Sequence, residues 1–175
     1  MCKQSLSLTK FQLRSIDGHS RQSPQKKMLF FVLLTCSVAW SVSAQANWCS
    51  ITGGGVAFGS YNPLTSTNLD TTGSLIIQCN SSFNAVLTLS SGAGTGASYA
   101  GGRKMTNAKR GTLTYNLYTD ATRTQVLGDG TGGSVTLQIN GKNTYTQPIW
   151  ARIFGNQRTA AAGSYSDIVI ATISY

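Results

Sequence analysis

The sequence predicts an all-β protein, and three observations support that prediction. The chain contains no glutamate, and residues 47–175 lack the apolar spacing that is typical of an amphipathic helix. Short runs of β-branched and aromatic residues alternate there with turns rich in glycine, serine, threonine and asparagine. About seven such runs, each bounded by turn residues, predict a β-sandwich of immunoglobulin type.

The chain begins with a segment that we predict to be removed. Lys26 and Lys27 precede an apolar stretch, residues 28–42, which is too short to span a bilayer comfortably. Small residues follow, so we expect a signal peptidase to cut after Ala46 or, as the second choice, after Ala44. An uncleaved membrane anchor is the alternative. We therefore expect export, without stable membrane insertion once the signal is cleaved.

The net charge of +9 is divided between the two parts of the chain. Residues 1–46 carry six lysines and arginines against one aspartate, a net +5, and the predicted mature domain, residues 47–175, carries eight against four, a net +4. Four cations fall within residues 103–110 and could contact nucleic acid or an acidic surface. Because no aromatic residue is interleaved for base stacking, we interpret this segment as a solvated loop and expect no nucleic-acid partner.

Export also gives the cysteines a structural role. Cys2 and Cys36 precede the expected cleavage site, and an oxidising compartment favours a disulfide between Cys49 and Cys79 over two free thiols. Closing a loop of about 30 residues stabilises a protein by roughly 3–4 kcal/mol on the chain-entropy model. The single histidine, His19, also precedes the cleavage site, so we expect no metal site.

The first half of the mature domain contains three predicted strands. Residues 48–52 lead through three glycines into residues 56–61, which together form the first of them, interrupted by a bulge or a break. Residues 74–79 and 84–90 form the second and third strands. The glycine-rich segment 91–102 lacks the lysine of a phosphate-binding loop, so we interpret it as a flexible connector.

The second half contains the remaining strands. Residues 111–118 alternate cleanly between polar and apolar positions, and residues 125–127 form a short strand. The Asn140-Gly141 pair predicts a hairpin that joins residues 134–139 to residues 144–154.

The terminal strand, residues 163–175, is the most informative one. Alternation assigns its side chains to two faces, with Val169, Ala171, Ile173 and Tyr175 on one and Ile168, Ile170, Thr172 and Ser174 on the other. Apolar residues on both faces predict an interior strand, yet no further strand follows in the sequence. We therefore expect one of its neighbours to come from another chain.

Catalysis is not expected. Without glutamate, a mature-domain histidine or a free cysteine, acid–base or nucleophilic chemistry would depend on four scattered aspartates. Asp70, Asp120 and Asp129 lie in turns rich in glycine and threonine, where aspartate is a common structural residue.

The chain resembles the spore coat protein U family, the pilin-type domain of archaic chaperone–usher pili. The resemblance covers nearly all of residues 47–175, in the family's order. It rests on Cys49, residues 56–64, Thr72-Gly73, Cys79, residues 103–107, residues 113–121, residues 128–133, residues 162–167 and the terminal Tyr175.

This resemblance implies an incomplete immunoglobulin-like sandwich whose last strand is supplied in trans. A periplasmic chaperone would fill the groove first, and a strand from a neighbouring subunit would replace it at an outer-membrane usher. The expected role is a structural or tip subunit of a surface fibre in adhesion and biofilm formation. Our candidates for the groove are Ile168, Ile170, Ile173 and Tyr175.

Two further expectations concern the position and the alternatives. Cleavage after Ala46 leaves only Asn47 and Trp48 before Cys49, too few for a donor strand of about 10 residues, so we expect a tip subunit or one half of a larger tip protein. The alternative is a self-complete secreted module that binds glycans or surfaces, or an outer coat protein. In the glycan-binding case the candidate aromatic residues are Trp48, Tyr99, Tyr145 and Trp150.

Overall fold

A computed structural model describes residues 47–175 and, in the preceding part, the backbone of two short segments. Regular structure in these residues consists only of strands, which confirms the all-β prediction. The strands are β1 (Ser5–Ser7), β2 (Leu13–Ser15), β3 (Cys49–Gly55), β4 (Ala57–Ser60), β5 (Leu69–Leu89), β6 (Arg103–Thr106), β7 (Thr112–Tyr118), β8 (Leu137–Ile153) and β9 (Ala171–Ser174).

The predicted signal peptide, with its lysine pair and cleavage sites, lies outside the described residues. Within the part of the chain that is described, no helix is long and apolar enough to cross a membrane.

Two long antiparallel strands, β5 and β8, form the centre of the sheet. Their pairing runs from Leu69 opposite Ile153 to Leu87 opposite Leu137, with a shift of register between Gln78 and Ser82. Extra residues in one strand bend and twist a ladder, so the sheet can curl over itself at this point. Inside the curl the rings of Phe58 and Tyr115 meet edge to face, 5.8 Å apart.

The strand order explains where the open edge of the sheet lies. On one side of β5 the order continues β8, β7, β6. The other side of β5 is shared: β3 pairs with residues 74–79, and β9 pairs with residues 86–89. The sheet therefore has a gap between β3 and β9.

The predicted hairpin at Asn140-Gly141 is wrong. These residues lie within β8, where Asn140 is opposite Asn84 and Gly141 is opposite Phe83. An Asn-Gly pair makes a hairpin only when the segments on its two sides pair with each other, whereas here both segments pair with β5. The glycine is used for close packing, because a Cβ at position 141 would stand 3.0 Å from the Phe83 ring.

The same long pairing changes two other predictions. Residues 74–79 and 84–90, predicted as separate strands, belong to the one strand β5 apart from residue 90. Residues 125–127 form isolated bridges to Tyr118 and Val135 rather than a strand.

The core is built from the inward faces of these strands. The disulfide between Cys49 and Cys79, predicted from the sequence, joins β3 to β5 at directly opposite positions. The predicted inward positions of β7 are confirmed, since Leu113, Tyr115 and Leu117 are fully buried, but Asn116, predicted to face outward with Thr112 and Thr114, is buried as well.

Candidate functional site

The candidate site is the edge of β9 that faces away from β5, which we call the acceptor edge. On its inner side β9 pairs antiparallel with residues 86–89 of β5. On the acceptor edge it pairs in parallel with β2: Leu13 is opposite Ala171, Arg14 opposite Thr172 and Ser15 opposite Ile173. β2 also approaches β3, so it lies in the gap between β3 and β9.

The inner face of the terminal segment is a core surface. Val169, Ala171 and Ile173 are all buried, and Ile173 stands opposite Leu87 of β5. A strand that packs its side chains in the core also needs partners for its outward backbone N–H and C=O groups. The acceptor edge therefore favours occupation by another strand.

The four predicted groove residues fall on different surfaces. Ile173 packs in the core, whereas Ile168 and Ile170 lie on the opposite face and are 43% and 41% exposed. Tyr175 is half exposed and, with Cys49 and Phe83, lines a small cavity of about 170 Å³. Ile168 and Ile170 precede β9, so neither lies in the strand that pairs with β2.

The terminal segment is positioned by a buried aspartate, Asp167. Its Oδ2 accepts a hydrogen bond from the Tyr115 hydroxyl at 2.8 Å, and its Oδ1 accepts bonds from the N–H groups of Ala93 and Ile168, each at 2.8 Å. A Cβ at position 92 would collide with the carboxylate, which explains the glycine there. Burial and the nearby carboxylate raise the pKa of Tyr115 well above its ordinary value, so the phenol remains a donor.

A second buried group, Arg103, supports the junction of β9 with β5. Its Nε donates to the Ser90 carbonyl at 3.0 Å and its Nη2 to the Leu127 carbonyl at 2.6 Å, while its guanidinium lies 5.2 Å from the centre of the Tyr99 ring. The Ser90 hydroxyl in turn accepts the N–H of Ile170 at 2.9 Å. Burial lowers the pKa of Arg103.

The burial of Arg103 corrects the interpretation of residues 103–110. Arg103 is fully buried at the start of β6, so the prediction that all four cations of residues 103–110 belong to a solvated loop is wrong. One signal in the sequence does point to this role: an arginine or aspartate beside an apolar strand needs a buried partner when that strand is packed in the core.

The glycine-rich segment 91–102, predicted to be a flexible connector, is packed against the sheet. Its Tyr99 is buried and donates a 2.7 Å hydrogen bond to the Leu89 carbonyl.

The aspartates that we considered for catalysis have structural partners. Asp70 makes a bidentate pair with Arg152, at 2.7 and 2.9 Å, and also lies 3.5 Å from Arg123. The hydrogen bond from Arg152 lowers the pKa of Asp70. Hydrogen bonds from Thr122 and Thr131 lower the pKa values of Asp120 and Asp129, respectively. In residues 47–175 no three histidine, cysteine or acidic side chains group as metal ligands.

The proposed aromatic residues for glycan stacking are also dispersed. Tyr99 is buried, and Tyr145 packs edge to face on Phe83 at 6.4 Å. Trp150 is half-buried opposite Thr72, whereas Trp48 is exposed near the disulfide.

A curled all-β sheet with a strand along its open edge defines the class of fold, and comparison with solved structures finds the same class. The fold is similar to a chain in the crystal structure of the CsuC–CsuE chaperone–tip adhesion subunit pre-assembly complex from the archaic chaperone–usher Csu pili of Acinetobacter baumannii. The TM-score is 0.51 at 18% identity, over 74% of this chain and 40% of that chain. The present chain thus spans less than half of that neighbour, and the likeness shows a shared fold.

Sequence comparison identifies the family. A family model described as the Spore Coat Protein U domain matches residues 34–172. Protein U of Myxococcus xanthus is 31% identical over 135 residues, which is 70% of this chain and 73% of that protein. The chain belongs to the Spore Coat Protein U domain family, as its resemblance predicts.

Proposed function

We propose that this protein is a structural subunit of a chaperone–usher surface fibre, assembled when a strand from another chain adds to the acceptor edge of β9. The observation that carries the proposal is the pairing of that edge with Leu13–Ser15. Those residues belong to the segment that we propose is removed on export, with residues 47–175 remaining as the mature domain. Removal of β2 would expose the edge and leave its place open to a strand of another chain.

The partners and location follow from this assembly. In transit, a periplasmic chaperone would supply the strand, and at an outer-membrane usher a neighbouring subunit would replace it. The solved neighbour, a chaperone–tip adhesion subunit pre-assembly complex, supports the chaperone step. The final place of the protein would be the cell surface, where it would act in adhesion and biofilm formation without cofactor, metal or catalysis.

Thermal unfolding of the exported protein, with and without donor peptides, tests the proposal. The peptides are synthetic donor segments from neighbouring subunits of the fibre. The expected result is an upward shift of the melting temperature with one peptide, because strand addition pairs the backbone of β9 and covers apolar surface together. The matched control is the same peptide with a central proline, which removes a ladder donor and should remove most of the shift.

The pairing of β2 with β9 within one chain favours a second candidate function. If residues 1–46 remain attached, β2 occupies the acceptor edge within the same chain, and the protein would be a self-complete secreted binding module or an outer coat protein. The mass of the exported protein decides between the two. A mature N-terminus near residue 47 supports the fibre subunit, whereas retention of Leu13–Ser15 together with a melting temperature that no peptide changes would contradict it.

A further inference from the structure

The hairpin of β6 and β7 carries a cleft that strand assembly does not use. The cleft has a volume of about 350 Å³ and is lined by Ala93, Thr95, Thr106, Asn107, Arg110 and Thr112. This volume lies within the range of small-molecule sites, roughly 300–1,000 Å³. The glycine-rich segment forms one wall, with Gly94 packed directly on the Lys104 carbonyl, and the hairpin forms the other.

The turn that presents the cations is fixed by Asn107. Its Oδ1 accepts the N–H of Lys109 at 3.0 Å and that of Gly111 at 2.7 Å, and its backbone pairs with residues 110 and 111. Arg110 has a φ of 61°, a left-handed conformation that these bonds hold. The side chains of Lys109 and Arg110 are exposed from an ordered turn, so less conformational entropy would be lost on binding.

The positive charge of this region is not balanced by carboxylates. Within residues 47–175 both ion pairs go to Asp70, which takes Arg123 and Arg152. Lys104 lies on the same outer face of the hairpin and donates to the Thr114 hydroxyl at 2.6 Å. Asp167, whose carboxylate accepts the N–H of Ala93 in the cleft wall, is buried and already accepts three hydrogen bonds.

The lining points to a particular class of anion. Threonine hydroxyls and an asparagine amide suit the hydroxyl groups of a sugar, and a guanidinium can bind a carboxylate with two parallel hydrogen bonds. No aromatic side chain lines the cleft, so the base stacking of single-stranded nucleic acid has no platform here. We propose that the cleft binds uronic-acid residues of an acidic extracellular polysaccharide, with Arg110 on the carboxylate and the threonines on the hydroxyls.

This inference deepens the proposed attachment function, but it depends on the hairpin and not on the acceptor edge. Binding of the exported protein to immobilised alginate, a polyuronate, tests it, with neutral dextran and double-stranded DNA as the comparison polymers. We expect binding to alginate that weakens as salt rises and no binding to dextran. Equal binding to dextran, or tighter binding to DNA than to alginate, would overturn the inference.

Three substitutions test whether alginate binds at this cleft. Arg110→Asn removes the guanidinium and keeps a residue that tolerates the left-handed backbone, and it should weaken alginate binding by at least about fivefold. Thr112→Val removes a hydroxyl without changing charge and should weaken binding by about twofold or more. Lys142→Gln, an exposed position in β8, is the matched loss of one charge and should change binding by less than about twofold.

One outcome of the variant series and one of the unmodified protein decide the matter. If Arg110→Asn and Lys142→Gln weaken binding equally, the attraction is one of net charge and the cleft is not the site. The donor-peptide shift of the melting temperature should be the same in all three variants. Loss of that shift in the unmodified protein, with alginate binding retained, would count against the strand-accepting function and leave the cleft in place.

Discussion

The strands β6 and β9 lie toward opposite ends of the sheet, and their outer edges are covered in different ways. The outer side of β6 is closed by residues of the same domain: Thr106 and Ser166 exchange backbone hydrogen bonds of 2.9 and 3.0 Å, and Gly94 packs on the Lys104 carbonyl. The outer side of β9 is covered by Leu13–Ser15, which precede the proposed cleavage site. Both edges are therefore paired, but only β6 is paired by residues that the mature domain would keep.

The charges on the two edges agree with this difference. Lys104 lies in β6, and Lys109 and Arg110 follow in its turn, whereas residues 168–175 contain no charged side chain. Charged residues on an edge oppose pairing with another chain, and an uncharged apolar edge favours it. The β6 edge is thus protected, whereas the β9 edge lacks the charges that would oppose the addition of a strand.

The sharpest way to disturb the β9 side is to remove the carboxylate of Asp167. Asp167→Ala leaves the Tyr115 hydroxyl and the N–H groups of Ala93 and Ile168 without their acceptor. The Tyr115 hydroxyl is buried and would be left unsatisfied, at a cost of about 1–3 kcal/mol, whereas the two N–H groups belong to exposed residues and can bond in part to water, so we expect the free energy of unfolding to fall by roughly 2–4 kcal/mol. Chemical denaturation of the exported protein measures this change.

Two further variants serve as comparisons for Asp167→Ala. Tyr115→Phe removes only one donor and should cost about 1–2 kcal/mol. Asp129→Ala, in an exposed turn, should cost less than about 1 kcal/mol. If Asp167→Ala were as mild as Asp129→Ala, Asp167 would not be the residue that positions the terminal segment.

The next variant pair uses two isoleucines on opposite faces of the terminal segment. Ile173→Ala creates a cavity beside Leu87 and should cost about 2–4 kcal/mol, because Ile173 is buried. Ile170→Ala should change the free energy of unfolding by less than about 1 kcal/mol, because its side chain is 41% exposed. Thermal or chemical unfolding of the two variants measures the difference, and similar losses would mean that the strand faces are assigned wrongly.

The sequence predicts the terminal strand and the disulfide because the signals for both are local. Alternation places Val169, Ala171 and Ile173 on one face, and the structure shows that this face is buried. The compartment inferred from the signal pattern pairs Cys49 with Cys79. The resemblance to the family adds the expectation that a strand comes from outside. It does not say which isoleucines face the groove, since that depends on how β9 packs against β5.

The errors arise where a local signal meets a distant partner. Asn140-Gly141 is a strong hairpin signal, but β5 is long enough to pair with the residues on both sides of it, and the shift of register falls at residues 79–81 of β5 rather than at this pair. Arg103 stands in a cationic run that is typical of exposed loops, but the carbonyls of Ser90 and Leu127 provide buried acceptors. Neither partner can be identified before the sheet order is known.

The smallest expected effect concerns pH at a site away from both edges, the pair of Asp70 with Arg152. Because the hydrogen bond from Arg152 lowers the pKa of Asp70 in the folded state, the pair stabilises the protein above the ordinary aspartate pKa, and this contribution is lost as the pH falls below about 4 through the lowered value. The Asp70 carboxylate is 36% exposed, so we expect the pair to contribute less than about 1 kcal/mol to the free energy of unfolding.

Arg152→Gln should lower the melting temperature slightly at pH 7 and hardly at all at pH 3, because the Asp70 carboxylate is then largely protonated in the variant. Melting temperatures of both proteins across this range measure the effect, and a difference that stays constant with pH would show that Arg152 stabilises the sheet by packing alone.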